Sequence, residues 1–149
     1  MPTGCFDDNV GMPKARSGTP SIHVAIVSAS YARAILDGRK TIESRFSRDR
    51  RAPWGRVRRG DRVWVKVSGG PVVADCTVRR VIQFADLTAD QLADARRQWG
   101  ALVVAPAAYW NQRRHKRFGV LIWLGKPRPP RQAPRIDRQY GAGWITLTP

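Results

Sequence analysis

Lys40, Glu43 and Arg45 lie within six residues of one another in the segment Gly38-Arg39-Lys40-Thr41-Ile42-Glu43-Ser44-Arg45. Lys40 and Arg45 are cations that can meet a phosphate or a carbonyl group, and the Glu43 carboxylate can accept from an exocyclic amine. On a regular strand, Glu43 and Arg45 share one face and Lys40 points to the other. All three can face one cleft only if Lys40 lies in the turn after Gly38, where glycine permits an unusual backbone, or if a β-bulge intervenes.

The pairing of a lysine with a carboxylate bears on the chemistry of such a cleft. A nearby negative charge stabilises an ammonium group, so we expect Glu43 to keep Lys40 protonated. A protonated lysine is a poor base and a poor nucleophile, which favours binding over catalysis. Taken without context, Glu43 and Arg45 are better explained by a cross-strand ion pair, since surface pairs are common.

Two further segments combine basic and aromatic side chains. The loop from Arg48 to Arg59 contains Trp54, whose ring is either a stacking residue or a lid that folds back on the core. The run Arg113-Arg114-His115-Lys116-Arg117 follows Tyr109 and Trp110, a composition typical of single-strand binding surfaces, with a solvated charge run as an equal alternative. Our candidate nucleic-acid contacts in these segments are Arg48, Arg50, Arg51, Trp54, Arg113, Arg114 and Arg117.

The overall charge indicates the kind of partner. The 149 residues include 27 Lys and Arg against 11 Asp and Glu, a formal net charge of +16. A compact domain gains nothing for its fold from such self-repulsion. Its usual physical reason is a polyanion whose phosphates neutralise the basic side chains and release condensed counterions. Nucleic acid is the expected partner, and anionic membrane surfaces and acidic proteins are the alternatives.

The elements that must position these residues follow from the hydrophobic pattern. β-Branched or alternating apolar runs predict strands at 22–27, 40–46, 61–67, 72–84, 118–124 and 144–147, with a hairpin turn at 68–71. Ser28 to Ser30 and Gly38 suit the two ends of a short helix over 31–36. Thr88 is a good N-cap for a helix that runs to about Trp99, before Gly100. Short strands with two or three short helices predict a mixed α+β, mainly β fold, a small β-barrel.

Composition also sets expectations for domain limits and for cofactors. Residues 1–20 are rich in Gly, Pro and polar residues and predict a flexible tail, which leaves 21–149 as one domain. Cys5 and Cys76 form no Cys-x-x-Cys pair and lie in no His/Cys cluster, so we expect no metal site, no disulfide framework and no cofactor. The absence of a signal-peptide pattern and of a long apolar run predicts a cytoplasmic protein that does not enter a membrane, and a monomer by default.

The segment from Gly38 to Arg45 matches G-x-K-x-x-E-x-R, and in this the chain resembles the ASCH domain family, one of the PUA-like barrels. The order of strand, short helix, signature, loop, Gly60-Asp61 pair and aromatic-apolar strand also fits, as does the closing segment 141–144. The resemblance covers residues 22–147. It implies a small PUA-like β-barrel with a cleft between barrel and helices, its floor lined by Lys40, Glu43 and Arg45. Related PUA-like domains recognise RNA.

The resemblance also leaves an enzymatic alternative open. Some ASCH proteins are hydrolases, either ribonucleases or amidohydrolases that act on acetylated cytidine. The amidohydrolases have threonine where this chain has Glu43, and their further glutamate would fall near Asp94 or Ala95. We therefore expect a nucleic-acid-binding module that prefers RNA to DNA. The alternative is a hydrolase of RNA or of a modified nucleoside, in which the catalytic residues would be Lys40, Glu43 and Tyr31. A third hypothesis is a protein-interaction module of an RNA-handling complex.

Overall fold

The computed structural model describes residues 10–14, 18–133, 135–136 and 143–147. The fold is mixed α+β and mainly β, as the sequence predicts. The elements in these ranges are β1 (Val10–Gly11), β2 (Ile22–Val27), α1 (Ala29–Leu36), β3 (Ile42–Ser47), β4 (Arg62–Val67), β5 (Val72–Phe84), α2 (Ala89–Val103), α3 (Ala107–Gln112), β6 (Phe118–Leu124) and β7 (Trp144–Leu147).

The strands form one sheet with the order β3-β6-β5-β4-β2-β7, and β1 pairs with the end of β5. The β2–β4 pair is parallel and all other pairs are antiparallel. The 13-residue strand β5 pairs with β4 along its first half and with β6 along its second. Register shifts at Val65/Lys66 and between Val78 and Arg80 bend these strands. The result is a curled half-barrel whose edge strands are β3 and β7.

Two hydrophobic clusters cover the two faces of the sheet. The first joins Val63 and Val65 of β4, Val120 and Ile122 of β6, and Trp144 of β7, together with residues of α1. Because it links β7, at one end of the sheet order, to β6, next to the other end, this face is the inside of the curl. The second cluster packs the opposite face against α2 and α3.

The helix caps account for where α1 and α2 begin. Ser28 accepts a hydrogen bond from the Tyr31 N–H, and Thr88 forms a capping box with Gln91. The predicted end of α2 is wrong, because the helix continues through Gly100 to Val103. Burial of Val103, which is fully enclosed, outweighs the cost of about 1 kcal/mol for a helical glycine. The short helix α3 was not predicted from the sequence.

Residues of the predicted N-terminal tail fall into two groups. Residues 1–9 and 15–17 lie outside the described residues, so the prediction of flexibility there stays a prediction. Val10 and Gly11 pair with Phe84 and Gln83 of β5, a short pairing that the sequence does not predict.

The Gly60-Asp61 pair of the sequence motif has a structural role. The Asp61 carboxylate is fully buried, accepts from the Ser21 N–H at 3.1 Å and the Arg58 N–H at 3.0 Å, and lies 2.8 Å from His23 Nε2. His23 is fully buried, in agreement with its prediction as a core histidine. Asp61 thereby ties the start of β4 to the start of β2, the parallel pair at the centre of the curl.

Candidate functional site

Lys40 lies in the turn between α1 and β3. Gly38 has a φ of +80°, and the N–H of Lys40 donates to the carbonyl of Ala34 at the end of α1. β3 begins only at Ile42. Lys40 thus lies in the turn after Gly38, one of the two arrangements that can bring it close to Glu43, and its Nζ lies 3.9 Å from Glu43 Oε1.

The Lys40 ammonium has backbone partners that the sequence does not predict. Its side chain is 3% exposed, and Nζ donates to the carbonyls of Val103 at 2.7 Å and Ile42 at 3.0 Å. The Val103 carbonyl belongs to the last turn of α2, where such groups lack a helical partner and the helix dipole favours a cation. The Tyr31 ring lies 5.0 Å from Nζ. Lys40 therefore fastens the end of α2 to the start of β3.

Burial has a larger effect on the acidity of Lys40 than its carboxylate neighbour has. Removal of the ammonium from water lowers the pKa of Lys40 from its ordinary value of 10.5, and this outweighs the opposing effect of the Glu43 carboxylate. The Arg45 charge adds to the lowering. Glu43 thus acts in the expected direction, but the sequence does not reveal how deeply the lysine is buried.

Glu43 points to the inside of the curl with one oxygen unpaired. It lies opposite Ile122 of the first cluster, and its Oε1 accepts the Ser44 N–H at 2.9 Å. Its side chain is 7% exposed, and Oε2 accepts no hydrogen bond within the described part of the chain. Buried polar atoms of native proteins almost always have a partner. An unpaired carboxylate oxygen is suited to an N–H donor from a ligand.

Arg45 connects the two edges of the sheet. From β3 its Nη1 donates to the Gly143 carbonyl at 2.9 Å, and its Nη2 donates to the Ile26 carbonyl at 3.1 Å. Its guanidinium also lies 5.6 Å from the Trp144 ring centre. A Cβ at position 143 would lie 2.7 Å from Arg45 Nη1, so a side chain there would require the guanidinium to shift. Arg45 thus closes the open side of the half-barrel.

A cavity of about 140 Å³ lies beside this bridge. It is of the size that admits a benzene-sized ring, since an engineered cavity of about 150 Å³ binds benzene. We call it the ring cavity. Its lining combines two indoles, two guanidiniums, the end of β3 and a turn of the loop after it: Arg45, Phe46, Ser47, Arg51, Ala52, Pro53, Trp54, Val120, Gly143 and Trp144.

Trp54 folds back on the barrel, as in the lid interpretation. Its Nε1 donates to the Phe84 carbonyl at 2.8 Å, and its ring contacts Phe118 edge-on at 5.4 Å between centres. The ring nevertheless lines the ring cavity. The Arg50 guanidinium covers both Trp54 and Phe118, at 5.4 and 5.5 Å from the ring centres.

The predicted basic residues have different partners. Arg51 pairs with the exposed Asp49, and Arg117 pairs with the exposed Asp86. Arg113 stacks on Tyr109, 3.7 Å from the ring centre. Arg48 and Arg114 are exposed. The structure thus brings Lys40, Glu43 and Arg45 together, and Arg51 and Trp54 line the ring cavity with Arg45.

The two basic segments meet although about 55 residues separate them. The N–H of Arg117 donates to the Ser47 carbonyl at 3.0 Å, and Ser47 lines the ring cavity. Arg50 reaches Phe118, the residue after Arg117. Segments 48–59 and 113–117 contain ten arginines and lysines and one carboxylate, Asp49. We call this joined area the basic surface; it lies next to the opening between Arg45 and Trp54.

Two other sequence expectations concern acids and thiols. Asp94 pairs with Arg97 on the exposed side of α2, and Ala95 is buried in the second cluster, so neither lines the ring cavity. Burial raises the pKa of the Cys76 thiol to about 12. Within the described ranges, no group of His, Cys, Asp and Glu side chains is arranged to bind a metal ion, and no helix is long and apolar enough to cross a membrane.

Comparison with solved structures identifies the architecture. No family model and no curated protein matches this chain. The ASCH protein of Zymomonas mobilis matches with a TM-score of 0.59 and 18% identity over 85% of this chain and 87% of that one. A tyrosine-to-phenylalanine mutant of that protein matches at 0.61 with 17% identity, over 85% and 89% of the two chains. A serine-to-alanine mutant matches at 0.63 with 16% identity, over 85% and 87%.

The class of fold is therefore a curled, mainly β sheet with helices on both faces. More specifically, this chain has the ASCH-domain fold. The likeness concerns the fold, since the identities are below one fifth.

Proposed function

We propose that this protein binds single-stranded RNA, with one base in the ring cavity and the flanking phosphates on the basic surface. The observation that carries the proposal is the junction of the two basic segments at Ser47 and Arg117, beside a cavity of about 140 Å³ between two indoles. A duplex keeps its bases stacked, whereas a single strand can present one base to a pocket and its phosphates to arginines.

The signature residues have different roles in this proposal. Arg45 shapes the wall of the ring cavity, because both Nη atoms donate to backbone carbonyls. Glu43 does not line the ring cavity, and its buried Oε2 has no hydrogen-bond partner among the described residues. Lys40 positions β3 through Val103 and Ile42. RNA is preferred to DNA in the proposal because related PUA-like domains recognise RNA.

Filling the ring cavity tests the base pocket. Ala52 lines it, and Ala52→Phe would occupy the space without removing any polar contact described above. We expect the affinity for a 12-nucleotide single-stranded RNA to fall by about 1–3 kcal/mol, the contribution of one stacked base. The dependence on salt should stay the same, because the phosphate contacts remain.

The matched control is Ala101→Phe on the exposed side of α2, outside the ring cavity. Fluorescence anisotropy of a labelled RNA measures the affinities, and thermal unfolding confirms that both variants fold. Equal affinities of the two variants would contradict a base pocket at this position.

A second candidate function is hydrolysis of RNA or of acetylated cytidine. The observation that favours it is the lowered pKa of Lys40, which burial causes, together with the Tyr31 ring 5.0 Å from its Nζ. A binding module leaves both substrates intact over long incubations. Turnover that disappears in folded Tyr31→Phe and Glu43→Gln variants would replace the binding proposal with a hydrolase. These variants are preferable to Lys40→Ala, since Lys40 holds two backbone carbonyls.

A further inference from the structure

A second cavity, of about 660 Å³, lies on the outside of the curl along β4 and β5. Val63 and Cys76 point into the first cluster, so their neighbours Arg62 and Asp75 point outward. Arg62 and Asp75 line this cavity, and no residue of the ring cavity does. We call it the outer groove.

A buried carboxylate holds two guanidiniums at the outer groove. Asp75 is 5% exposed and accepts from both Nε and Nη2 of Arg62, while Arg128 Nη2 lies 3.6 Å from its Oδ2. Arg128 Nη2 also donates to Thr77 Oγ1 at 3.0 Å. The side chains of Arg62 and Arg128 remain 39% and 54% exposed. Both guanidinium groups are therefore fixed in place and still accessible to a ligand.

The backbone holds the same arrangement. Asp75 and Arg128 exchange two backbone hydrogen bonds, at 3.0 Å from the Asp75 N–H and 2.9 Å from the Arg128 N–H. This attaches the segment after β6 to the first half of β5. The positions of the two guanidiniums are consequently set before any ligand arrives, which lowers the entropy cost of binding.

The charges of the outer groove are not balanced. Its lining contains three arginines, Arg62, Arg128 and Arg131, and one carboxylate, Asp75. The Arg131 side chain makes no hydrogen bond or ion pair with a described residue. An ion pair that only attached the segment around Arg128 to β5 would need one arginine, whereas the outer groove has three. Its lining has a net charge of +2, with N–H donors available to an anion.

We propose that the outer groove binds a phosphate group. Guanidinium forks match the geometry of phosphate oxygens, and several around one anion give the charge-assisted hydrogen bonds by which proteins recognise phosphate. The phosphate could belong to the backbone of a nucleic acid or to a small phosphorylated molecule. The site is independent of the proposed base pocket, because the two cavities share no residue.

The test follows the arginine Nε–H resonances of the ¹⁵N-labelled full chain during titration with sodium phosphate. Sodium chloride of equal ionic strength is the reference for screening. We expect saturable shifts at Arg62, Arg128 and Arg131 with phosphate and none with chloride. Arg131→Ala should weaken the phosphate affinity about tenfold, the loss of one hydrogen bond to a charged group. Arg33→Ala, an exposed charge-matched variant on α1, should not.

Two further titrations distinguish the sources of the phosphate. One uses adenosine monophosphate, and the other uses a 12-nucleotide RNA without terminal phosphates, both added to the Ala52→Phe protein. Saturable shifts at the outer groove with either ligand would support the proposal, and the ligand that gives them identifies the source of the phosphate. This result does not depend on whether the ring cavity binds a base. Shifts that match those with chloride, or an unchanged affinity in Arg131→Ala, would overturn it.

Discussion

Lys40→Met should lower the free energy of unfolding by about 3–5 kcal/mol, the usual cost of removing one partner from a buried ionic pair. The variant keeps the volume of the side chain but leaves the Val103 and Ile42 carbonyls without their donor and Glu43 without its nearest lysine. Typical domains have only about 5–15 kcal/mol of stability, so the loss is a large fraction of it. Urea unfolding followed by circular dichroism measures the change.

Lys66→Met is the matched control for this variant. Lys66 Nζ also donates to two carbonyls, of Val67 and Gly70, but it is half-buried and its partners lie in the adjacent turn. We expect a loss of about 1 kcal/mol there. Equal losses in the two variants would contradict the role of Lys40 as the tie between α2 and β3.

The pH dependence of the Lys40 effect follows from its lowered pKa. Between that lowered value and the ordinary value of 10.5, the unfolded chain binds more protons at this position than the folded chain does. Stability conferred by Lys40 therefore rises with pH across this window. The difference in unfolding free energy between wild type and Lys40→Met should widen as the pH approaches 10.5.

The second large effect concerns the basic surface. Replacement of Arg48, Arg50 and Arg114 by alanine should make the slope of log affinity against log salt less negative by about 2, since each phosphate contact on a single strand contributes about 0.7. Over a fourfold rise in salt, wild type should lose about 16-fold more RNA affinity than this variant. No carboxylate among the described residues pairs with these three arginines, unlike Arg51 and Arg117.

A triple variant of the same charge serves as the control. Arg33, Arg39 and Arg79 lie on α1, in the turn that follows α1 and on β5, outside both basic segments. All three are exposed, and their replacement by alanine also removes three charges. If both variants make the slope of log affinity against log salt less negative by the same amount, RNA binding depends on the net charge of the protein and not on a defined surface. The assignment of segments 48–59 and 113–117 as the phosphate-binding surface would then be wrong.

The strands could be predicted from the sequence because they depend on local patterns, such as the alternating apolar residues of β4. The predicted strand 40–46 begins two residues too early, because Lys40 lies in the turn after Gly38, which was one of two arrangements left open. The end of α2 could not be predicted, because tertiary burial of Val103 decides it. The helix α3 has six residues and no side-chain cap, so it has little local signal.

The partners of the signature residues could not be predicted, because they are backbone groups far away in the chain. Arg45 bonds to Gly143, 98 residues later, and Lys40 bonds to Val103, 63 residues later. Carbonyl groups are the same at every residue, so no residue type reveals them. Three predicted site residues, Arg45, Arg51 and Trp54, line the ring cavity. The cavity itself was not predicted, since Ala52 and Val120, which complete its lining, have no distinctive chemistry.

The affinity of the wild-type protein for a labelled 12-nucleotide single-stranded RNA, measured from 50 to 200 mM salt, tests the central claim most directly. Six phosphate contacts would give a log–log slope of about −4, and single-stranded DNA of the same sequence should bind more weakly. A flat response to salt, or no binding at 50 mM, would contradict RNA binding by this protein.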